Sequence, residues 1–166
     1  MVHPPGNPGR RPRHPRTGHR RLPHPDEAAL VDALRADPRA WIDGLSTVAE
    51  SPDGVITAHA LITRCHIDDT PALALAPCAT LPAHQRAGAG SAAIRACLAA
   101  ARTHPEPVVI VLGHPDYYPR FGFTPASTFG IHAPFDVPDA AFLALLTHPD
   151  HPIPTGTVRY PSAFGI

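Results

Sequence analysis

A glycine-containing loop between an apolar run and a helical repeat is the feature that most constrains this chain. The apolar run begins at Ala72, is interrupted by Pro77 and continues to Leu81. After Gly90 the apolar residues are spaced by three and four, as on one face of a helix: Ile94, Cys97, Leu98 and Ala101. In the order strand, loop, helix, the first helical turn presents unpaired N–H groups and partial positive charge to the loop. That arrangement predicts an anion site, and phosphate is a usual occupant.

The loop itself reads Gln-x-x-Gly-x-Gly from Gln85 to Gly90. Because Gly88 and Gly90 lack a Cβ, the loop can turn its N–H groups inward and let a phosphate approach closely. Arg86 adds a permanent positive charge. The pattern is neither GxGxxG nor a P-loop, because Gly90 is followed by Ser-Ala-Ala and the chain contains no lysine. An ordinary strand-to-helix turn that needs glycine is the alternative.

Length and composition indicate a single domain without a membrane segment. The chain has 166 residues, and its 23 prolines predict many short elements and turns. No apolar run is long enough to span a bilayer, and no apolar segment of a secretory signal follows the basic N-terminus. Cys65, Cys78 and Cys97 lack C-x-x-C spacing, which argues against a zinc site or a disulfide framework and favours buried hydrophobes. A cytoplasmic location is the expectation.

Charge divides the chain into two regions. Residues 1–25 contain six arginines, seven prolines and no acidic residue. Because they have so few apolar side chains, we expect a disordered basic tail. Residues 26–166 hold eight arginines against fourteen acidic residues and form the expected folded domain. A tail that contacts nucleic acid is the alternative to a solvated tail, and we favour the solvated tail with no nucleic-acid partner.

Periodicity and turn residues predict the elements around the loop. A helix is expected to begin at a cap formed by Asp26 and to end before Pro38. The predicted strands are 45–49, 55–67, 72–80, 108–112, 142–146 and 157–160. The first three follow one another through short turns, which predicts antiparallel pairing. The unbroken apolar run 108–112 follows a helix, which predicts a strand buried on both faces and parallel to 72–80.

A second motif gives the loop a specific context. The helix after the loop is followed by an apolar strand and then by Tyr-Tyr-Pro-Arg-Phe-Gly-Phe at 117–123. This combination resembles the GNAT superfamily of N-acetyltransferases, whose coenzyme A pyrophosphate loop is Gln/Arg-x-x-Gly-x-Gly/Ala. The family's fifth strand is commonly followed by aromatic-Tyr-x-Lys/Arg-x-Gly-Phe. More narrowly, residues 112–123 together with 130–135 and 156–161 look like the YhbS-like branch of the superfamily.

The resemblance implies a fold of the α/β (α+β) class. The expected sheet is mixed, mostly antiparallel, flanked by helices and splayed between its fourth and fifth strands. A bulge in the fourth strand is a family habit, and Pro77 suits a bulge because it has no N–H to donate. Family members begin with a strand and the first part of a helix, which residues 1–25 do not contain. We therefore expect a domain without the family's first strand, through a mis-called start or frame or through real loss of that strand.

The resemblance also implies acetyl-CoA as co-substrate and no metal. Acetyl-CoA would bind in the cleft where the fourth and fifth strands part. The residues that match the strand beside the pantetheine arm are Cys78, Ala79 and Thr80. The residues that match the pyrophosphate loop and the helix start are Gln85, Arg86, Ala87, Gly88, Ala89, Gly90 and Ser91.

For catalysis, Tyr118 matches the family's tyrosine near the thioester sulfur. Its ordinary pKa of about 10 keeps the hydroxyl protonated, so that it can donate a proton to the leaving thiolate. A packed aromatic ring with a satisfied hydroxyl is the alternative. Residues 72–80 contain no carboxylate, so the base is open, and His114 is the candidate with Asp116 beside it. Arg120 is either an ion-pair partner or a substrate contact. Core packing is expected of Tyr117, Phe121 and Phe123.

The implied activity is transfer of an acetyl group to a primary amine by direct attack on the thioester. Backbone N–H groups of the fourth strand would stabilise the oxyanion. The acceptor stays open among antibiotics, polyamines, amino acids, peptide N-termini and protein lysines. A homodimer is a further expectation. The alternative from another class is a catalytically idle domain of the same fold that binds CoA as a sensor or scaffold.

Overall fold

A computed structural model describes residues 25–80 and 88–165, whose central feature is an eight-stranded, mostly antiparallel sheet. The predicted tail up to residue 24 and the loop residues Gln85, Arg86 and Ala87 lie outside the described residues. The helices are α1 (Pro25–Ala36) and α2 (Ala89–Ala101). The strands are β1 (Ser46–Glu50), β2 (Ile56–Ile67), β3 (Thr70–Thr80), β4 (Val108–Leu112), β5 (Thr124–Pro125), β6 (Ile131–His132), β7 (Phe142–Leu146) and β8 (Gly156–Arg159). In this part of the chain no helix has the length and apolar character needed to cross a bilayer.

The predicted strands are confirmed, with shifts of one or two residues at some ends. β4 and β7 have the predicted bounds. β3 begins at Thr70, two residues early, because a tight turn with Asp68 in a left-handed conformation (φ 50°) lets Thr70 pair at once with Ile67. The predicted cap at Asp26 is wrong, because α1 begins at Pro25 and Asp26 is its second residue. Proline is well tolerated in a first helical turn. The two-residue strands β5 and β6 were not predicted.

The strand order is β5-β7-β4-β3-β2-β8-β6, with β1 also paired to β2. β1 pairs with the first half of β2, and β8 pairs with its last two residues on the same side. β3 and β4 are parallel and connected through α2, as predicted, while β1, β2 and β3 are successively antiparallel. Among the described residues no strand pairs with the outer edge of β1.

β3 and β4 pair only over a short distance and then part. Leu73 lies opposite Val109 and Ala74 lies opposite Ile110, but β3 continues to Thr80 with β2 as its only neighbour in the described sheet. The pairing of β3 with β2 shifts by one residue around Pro77, so that β3 carries one extra residue there. This is the predicted bulge, at a residue that cannot donate to the ladder. The predicted splay is likewise confirmed.

The sheet is covered by a helix on each face. On one face Ile94, Cys97 and Leu98 of α2 pack against alternate residues of the strands, including Leu73, Leu75, Val109 and Val111. The alternating residues of β3 and β4 form a second core cluster on the opposite face, which includes Ala72, Ala74, Val108 and Ile110. β4 is therefore buried on both faces over its first four residues, as its unbroken apolar run predicts.

α1 is joined to the sheet by a small cluster of its own. Val31 and Leu34 of α1 pack against Leu61 of β2, and Ala163 and Phe164 close the cluster. Leu61 alternates with Ala60 and Ile62, which face α2, so α1 covers the other face. Leu34 is completely buried.

We expect Leu34→Ala to lower the free energy of unfolding by about 2–5 kcal/mol, because a large buried side chain leaves a cavity behind. Urea denaturation measures the change. The matched control is Asp32→Ala on the same helix, where only a long ion pair with Arg35 (4.0 Å) is lost, and the change should stay within about 0.5 kcal/mol. Equal losses in both variants would contradict the assigned packing of α1.

Candidate active site

The first turn of α2 presents unpaired backbone donors. Gly88 is its N-cap residue and has a left-handed conformation, with φ 87° and ψ −3°. The Ala92 N–H donates to the Gly88 carbonyl at 2.9 Å, which is the first bond of the helix. The N–H groups of Ala89, Gly90 and Ser91 come before it and have no acceptor inside the helix. Among the described residues no side chain caps this end, and the first turn holds no acidic residue. The turn therefore has the geometry and the charge of an anion site.

The end of β3 lies beside this turn in the chain, and no described strand pairs with its second edge. Cys78, Ala79 and Thr80 pair with β2 on one side, whereas no described residue of β4 pairs with them on the other. Backbone N–H and C=O groups along such an edge are available to an extended ligand. The thiol of Cys78 is partly buried and packs against the α2 side of the core.

Tyr118 is brought to this end of β3, beside Cys78. It starts a single helical turn, Tyr118–Phe121, that follows β4. Tyr118 and Cys78 pack against the same core cluster, and the two side chains interact electrostatically. The Tyr118 ring packs edge-on against Tyr117 at 5.1 Å and against Phe123 at 5.9 Å. Burial, followed by the neighbouring Cys78 and Tyr117, raises the pKa of Tyr118 well above its ordinary value of about 10. The hydroxyl is thus protonated throughout the physiological range.

Gly113 is a residue whose role sequence reasoning missed. It directly follows β4, and its N–H donates to the Ala141 carbonyl at 2.9 Å, which fixes its backbone. A Cβ at this position would overlap the ring of Tyr118. The sequence signal is a glycine immediately after a buried strand, which by itself indicates only the end of that strand. The absence of a side chain here lets the ring lie directly on the backbone.

Tyr117 makes a hydrogen bond that was also missed. Its hydroxyl lies 2.9 Å from the Ser91 hydroxyl in the first turn of α2. The Arg120 guanidinium stacks over the Tyr117 ring at 4.4 Å, and its Nε donates to the Tyr117 carbonyl at 2.8 Å. A substrate contact of Arg120 stays a prediction. The predicted ion pair is not seen, since no carboxylate among the described residues forms one with Arg120. Arg120 instead holds Tyr117 in place.

The candidate base His114 is exposed, as is Asp116. The His114 carbonyl accepts the N–H groups of Tyr117 and Tyr118 at 3.1 and 3.5 Å, so its backbone shapes the turn that carries them. A buried histidine, His59, lies on β2 opposite Ala79, with its Nε2 3.5 Å from the Ser46 hydroxyl. Sequence reasoning passed over His59 because it lies inside a predicted strand.

The other two cysteines are buried and free, as expected for hydrophobic packing. Burial raises the pKa of Cys65 to about 12 and raises that of Cys97 further. The Cys97 thiol donates to the Leu45 carbonyl at 3.3 Å. Within residues 25–80 and 88–165 no group of three or more His, Cys, Asp or Glu side chains could hold a metal ion.

An open cavity of about 750 Å³ lies away from these groups. Its lining includes Arg64 near the far end of β2 and Arg159 at the end of β8. These guanidinium groups are paired with Glu106 at 3.2 Å and with Asp69 at 3.3 Å, and the cavity also meets the C-terminal turn of α1, where the helix dipole is negative. These charges offset one another, so this cavity does not have the character of a phosphate site.

Comparison with known proteins identifies the family to which the chain belongs. No protein-family model matches the chain. YjhQ of Escherichia coli (strain K12), an uncharacterized N-acetyltransferase, is 38% identical over 118 residues, which is 68% of this chain and 64% of YjhQ. A GNAT family acetyltransferase from Brucella melitensis, solved in complex with acetyl-CoA, is 29% identical, with a TM-score of 0.73 over 99% of this chain and 98% of that one. This chain belongs to the GNAT superfamily.

A second solved structure agrees in fold over the whole chain. YhbS from Escherichia coli, a GNAT family N-acetyltransferase in complex with CoA, has a TM-score of 0.83, with 21% identity. The match covers 100% of this chain and 92% of the YhbS chain. At this level of identity the likeness shows the fold alone. The region aligned with YjhQ spans less than two thirds of that relative's length.

The contact between Gly113 and the Tyr118 ring gives a prediction about stability. We expect Gly113→Ala to cost about 1–3 kcal/mol of unfolding free energy, because the new methyl group overlaps the ring and forces it to move. The near-ultraviolet circular dichroism of the tyrosines should change as well.

The matched measurement repeats Gly113→Ala in a Tyr118→Ala background. With the ring removed, most of the cost should vanish, since interacting residues show non-additive effects. The same cost with and without the ring would show that the overlap is not its cause.

Proposed function

We propose that this GNAT family chain is an N-acetyltransferase that moves an acetyl group from acetyl-CoA to a primary amine. The observation that carries the proposal is the Tyr118 hydroxyl, which lies beside Cys78 at the end of β3, where β3 has parted from β4. The solved relatives from Brucella melitensis and Escherichia coli, in complex with acetyl-CoA and with CoA, support the choice of co-substrate.

The CoA site is proposed to use the edge of β3 beyond its pairing with β4, together with the first turn of α2. The pantetheine arm is proposed to lie along Cys78, Ala79 and Thr80 and to take the place of a neighbouring strand. The pyrophosphate is proposed to accept the unpaired N–H groups at the start of α2. The proposed contacts there are Gln85, Arg86, Ala87, Gly88, Ala89, Gly90 and Ser91.

In the proposed transfer, the amine nitrogen forms a C–N bond with the acetyl carbonyl while the C–S bond breaks and its electron pair leaves on sulfur. Tyr118 donates its O–H to that sulfur. Burial raises the pKa of Tyr118 above that of a thiol, which is about 8.5. The hydroxyl therefore stabilises the thiolate mainly as a hydrogen-bond donor. The proton that the nitrogen loses as the amide forms balances the negative charge of the thiolate. Backbone N–H groups of β3 beyond its pairing with β4 are proposed to stabilise the oxyanion.

The amine must lose a proton before it attacks, and two histidines are candidates to accept it. His114 is exposed at the end of β4, close in the chain to Tyr118. His59 is 5% exposed and lies opposite Ala79, on the sheet face away from α2 because its neighbours Ala58 and Ala60 pack against α2. We propose His114 as the base and retain His59 as the alternative on the opposite face.

The first test concerns the pyrophosphate site. We expect Gly88→Val to weaken CoA binding at least about tenfold, because a β-branched side chain both strains the left-handed backbone and fills the approach to the N–H groups. Calorimetry with CoA measures it.

Gly54 provides the control for Gly88. It has nearly the same φ (85° against 87°), and a Cβ at either position would meet nothing within 4 Å. Gly54→Val should thus carry a similar backbone strain and leave CoA affinity unchanged. Unchanged affinity in a folded Gly88→Val variant would remove this loop from the site.

The second test concerns Tyr118. Replacing it by phenylalanine keeps the ring and its packing and removes one hydroxyl, so CoA affinity and stability should change little. General acid catalysis is typically worth about 10²–10⁴-fold. We expect kcat to fall by about 10²-fold, at the low end, because the raised pKa limits full proton transfer.

The assay needs an acceptor that the wild type acetylates, found by screening a panel of amines. A wild-type rate in Tyr118→Phe would leave Tyr118 with packing alone. CoA binding without acetylation of any amine would favour the idle CoA-binding domain.

A further inference from the structure

The hydroxyl bond between Tyr117 and Ser91 joins two parts of the chain that the proposed function uses separately. Ser91 lies in the first turn of α2, where the pyrophosphate is proposed to bind. Tyr117 lies 26 residues later and directly precedes Tyr118. At 2.9 Å the contact is a normal hydrogen bond between hydroxyl groups, and it is partly buried. It is therefore partly shielded from competing water.

The Tyr117 ring is enclosed by its neighbours. The rings of Tyr118 and Phe121 meet it edge-on at 5.1 and 5.4 Å, with interplanar angles of 81° and 77°. Arg120 stacks at 4.4 Å and is itself tied to the Tyr117 carbonyl. Because these contacts leave the ring little freedom to turn, a displacement of its hydroxyl displaces the rings around it, including that of Tyr118.

A second contact links α2 to the same segment. The Arg95 guanidinium lies over the Phe121 ring at 5.2 Å. Arg95 is four residues after Ser91, so both side chains leave the same face of α2, one turn apart. α2 thus holds residues 117–121, which we name the tyrosine segment, at two points.

We propose that Tyr117 is a positioning residue that fixes Tyr118 relative to the first turn of α2 through its bond to Ser91. This inference rests on the proposed function, in which the turn holds the pyrophosphate and Tyr118 meets the thioester sulfur. Both groups belong to one CoA molecule, so the distance between the two parts of the protein sets the geometry of the reaction. Small misplacements at a reacting centre have large effects on rate.

The first experiment reads the contact by NMR and needs no acceptor. The chain has three tyrosines, so ¹³C-tyrosine labelling gives three sets of ring signals, assigned with the Phe variants of Tyr117, Tyr118 and Tyr160. Ser91→Ala removes the hydroxyl partner and changes no ring. We expect it to shift the signals of Tyr118 as well as those of Tyr117. The signals of Tyr160, which lies in the other core cluster, should stay in place. Unmoved Tyr118 signals would overturn the proposal.

The second experiment uses turnover. We expect Tyr117→Phe to lower kcat by about 3- to 10-fold, the size of one net hydrogen bond, with CoA affinity unchanged. In a Tyr118→Phe background the same substitution should cost nothing further, because a positioning residue acts only through the group that it positions. Tyr160→Phe, which also loses one tyrosine hydroxyl, should keep the wild-type kcat.

The outcomes separate this inference from the proposed function. Equal losses from Tyr117→Phe with and without the Tyr118 hydroxyl would show an effect that does not pass through Tyr118, and would overturn the positioning role. A wild-type protein that acetylates no amine would count against the proposed function alone. In that case the NMR measurement on Ser91→Ala still decides whether Tyr117 positions Tyr118.

Discussion

The separation of β3 from β4 is the constraint on which the rest of the site depends. Two parallel strands that begin to pair at Leu73 and Ala74 would normally continue, since unpaired backbone groups inside a sheet are costly. The extra residue at Pro77 interrupts the pattern of β3, and β4 ends at Leu112 soon after. The edge of β3 that results can be satisfied by a ligand with alternating polar groups. α2, which must cross from β3 to β4, brings its positive end to the same place.

The tyrosine segment lies at this separation for reasons of packing. The chain leaves β4 at Gly113, where the missing side chain admits the Tyr118 ring, and Gly122 ends the helical turn in a left-handed conformation with φ 99°. Between these glycines, four residues form a turn too short to be stable alone. Aromatic contacts and the hydrogen bond to Ser91 supply the stabilisation that the backbone of a single turn lacks. The position of the Tyr118 hydroxyl is therefore a property of tertiary packing.

Features that depend on local sequence can be predicted from the chain, whereas features that depend on tertiary packing cannot. β4, its parallel pairing and the bulge at Pro77 depend on local pattern, because an apolar run, a preceding helix and a proline each restrict the backbone directly. The glycine loop can likewise be predicted from its local sequence. The overlap of Gly113 with a ring, the stacking of Arg120 and the burial of His59 depend on which face meets which neighbour. Those relations arise only after the sheet has formed, and β5 and β6 are too short to show periodicity.

The side chains described next to the Tyr118 hydroxyl are neutral, and this agrees with the proposed chemistry. The ion pair between Arg64 and the buried Glu106 lies at the other end of β2. The groups described around Cys78 are a phenol, a thiol and backbone dipoles. A leaving thiolate carries a charge that exists only during reaction, so fixed donors stabilise it without binding a permanent counter-ion. The burial that raises the pKa of Tyr118 also lowers the local dielectric, and a hydrogen bond to a charged sulfur is stronger there. The feature that makes Tyr118 a weaker acid thus makes it a better partner for the departing charge.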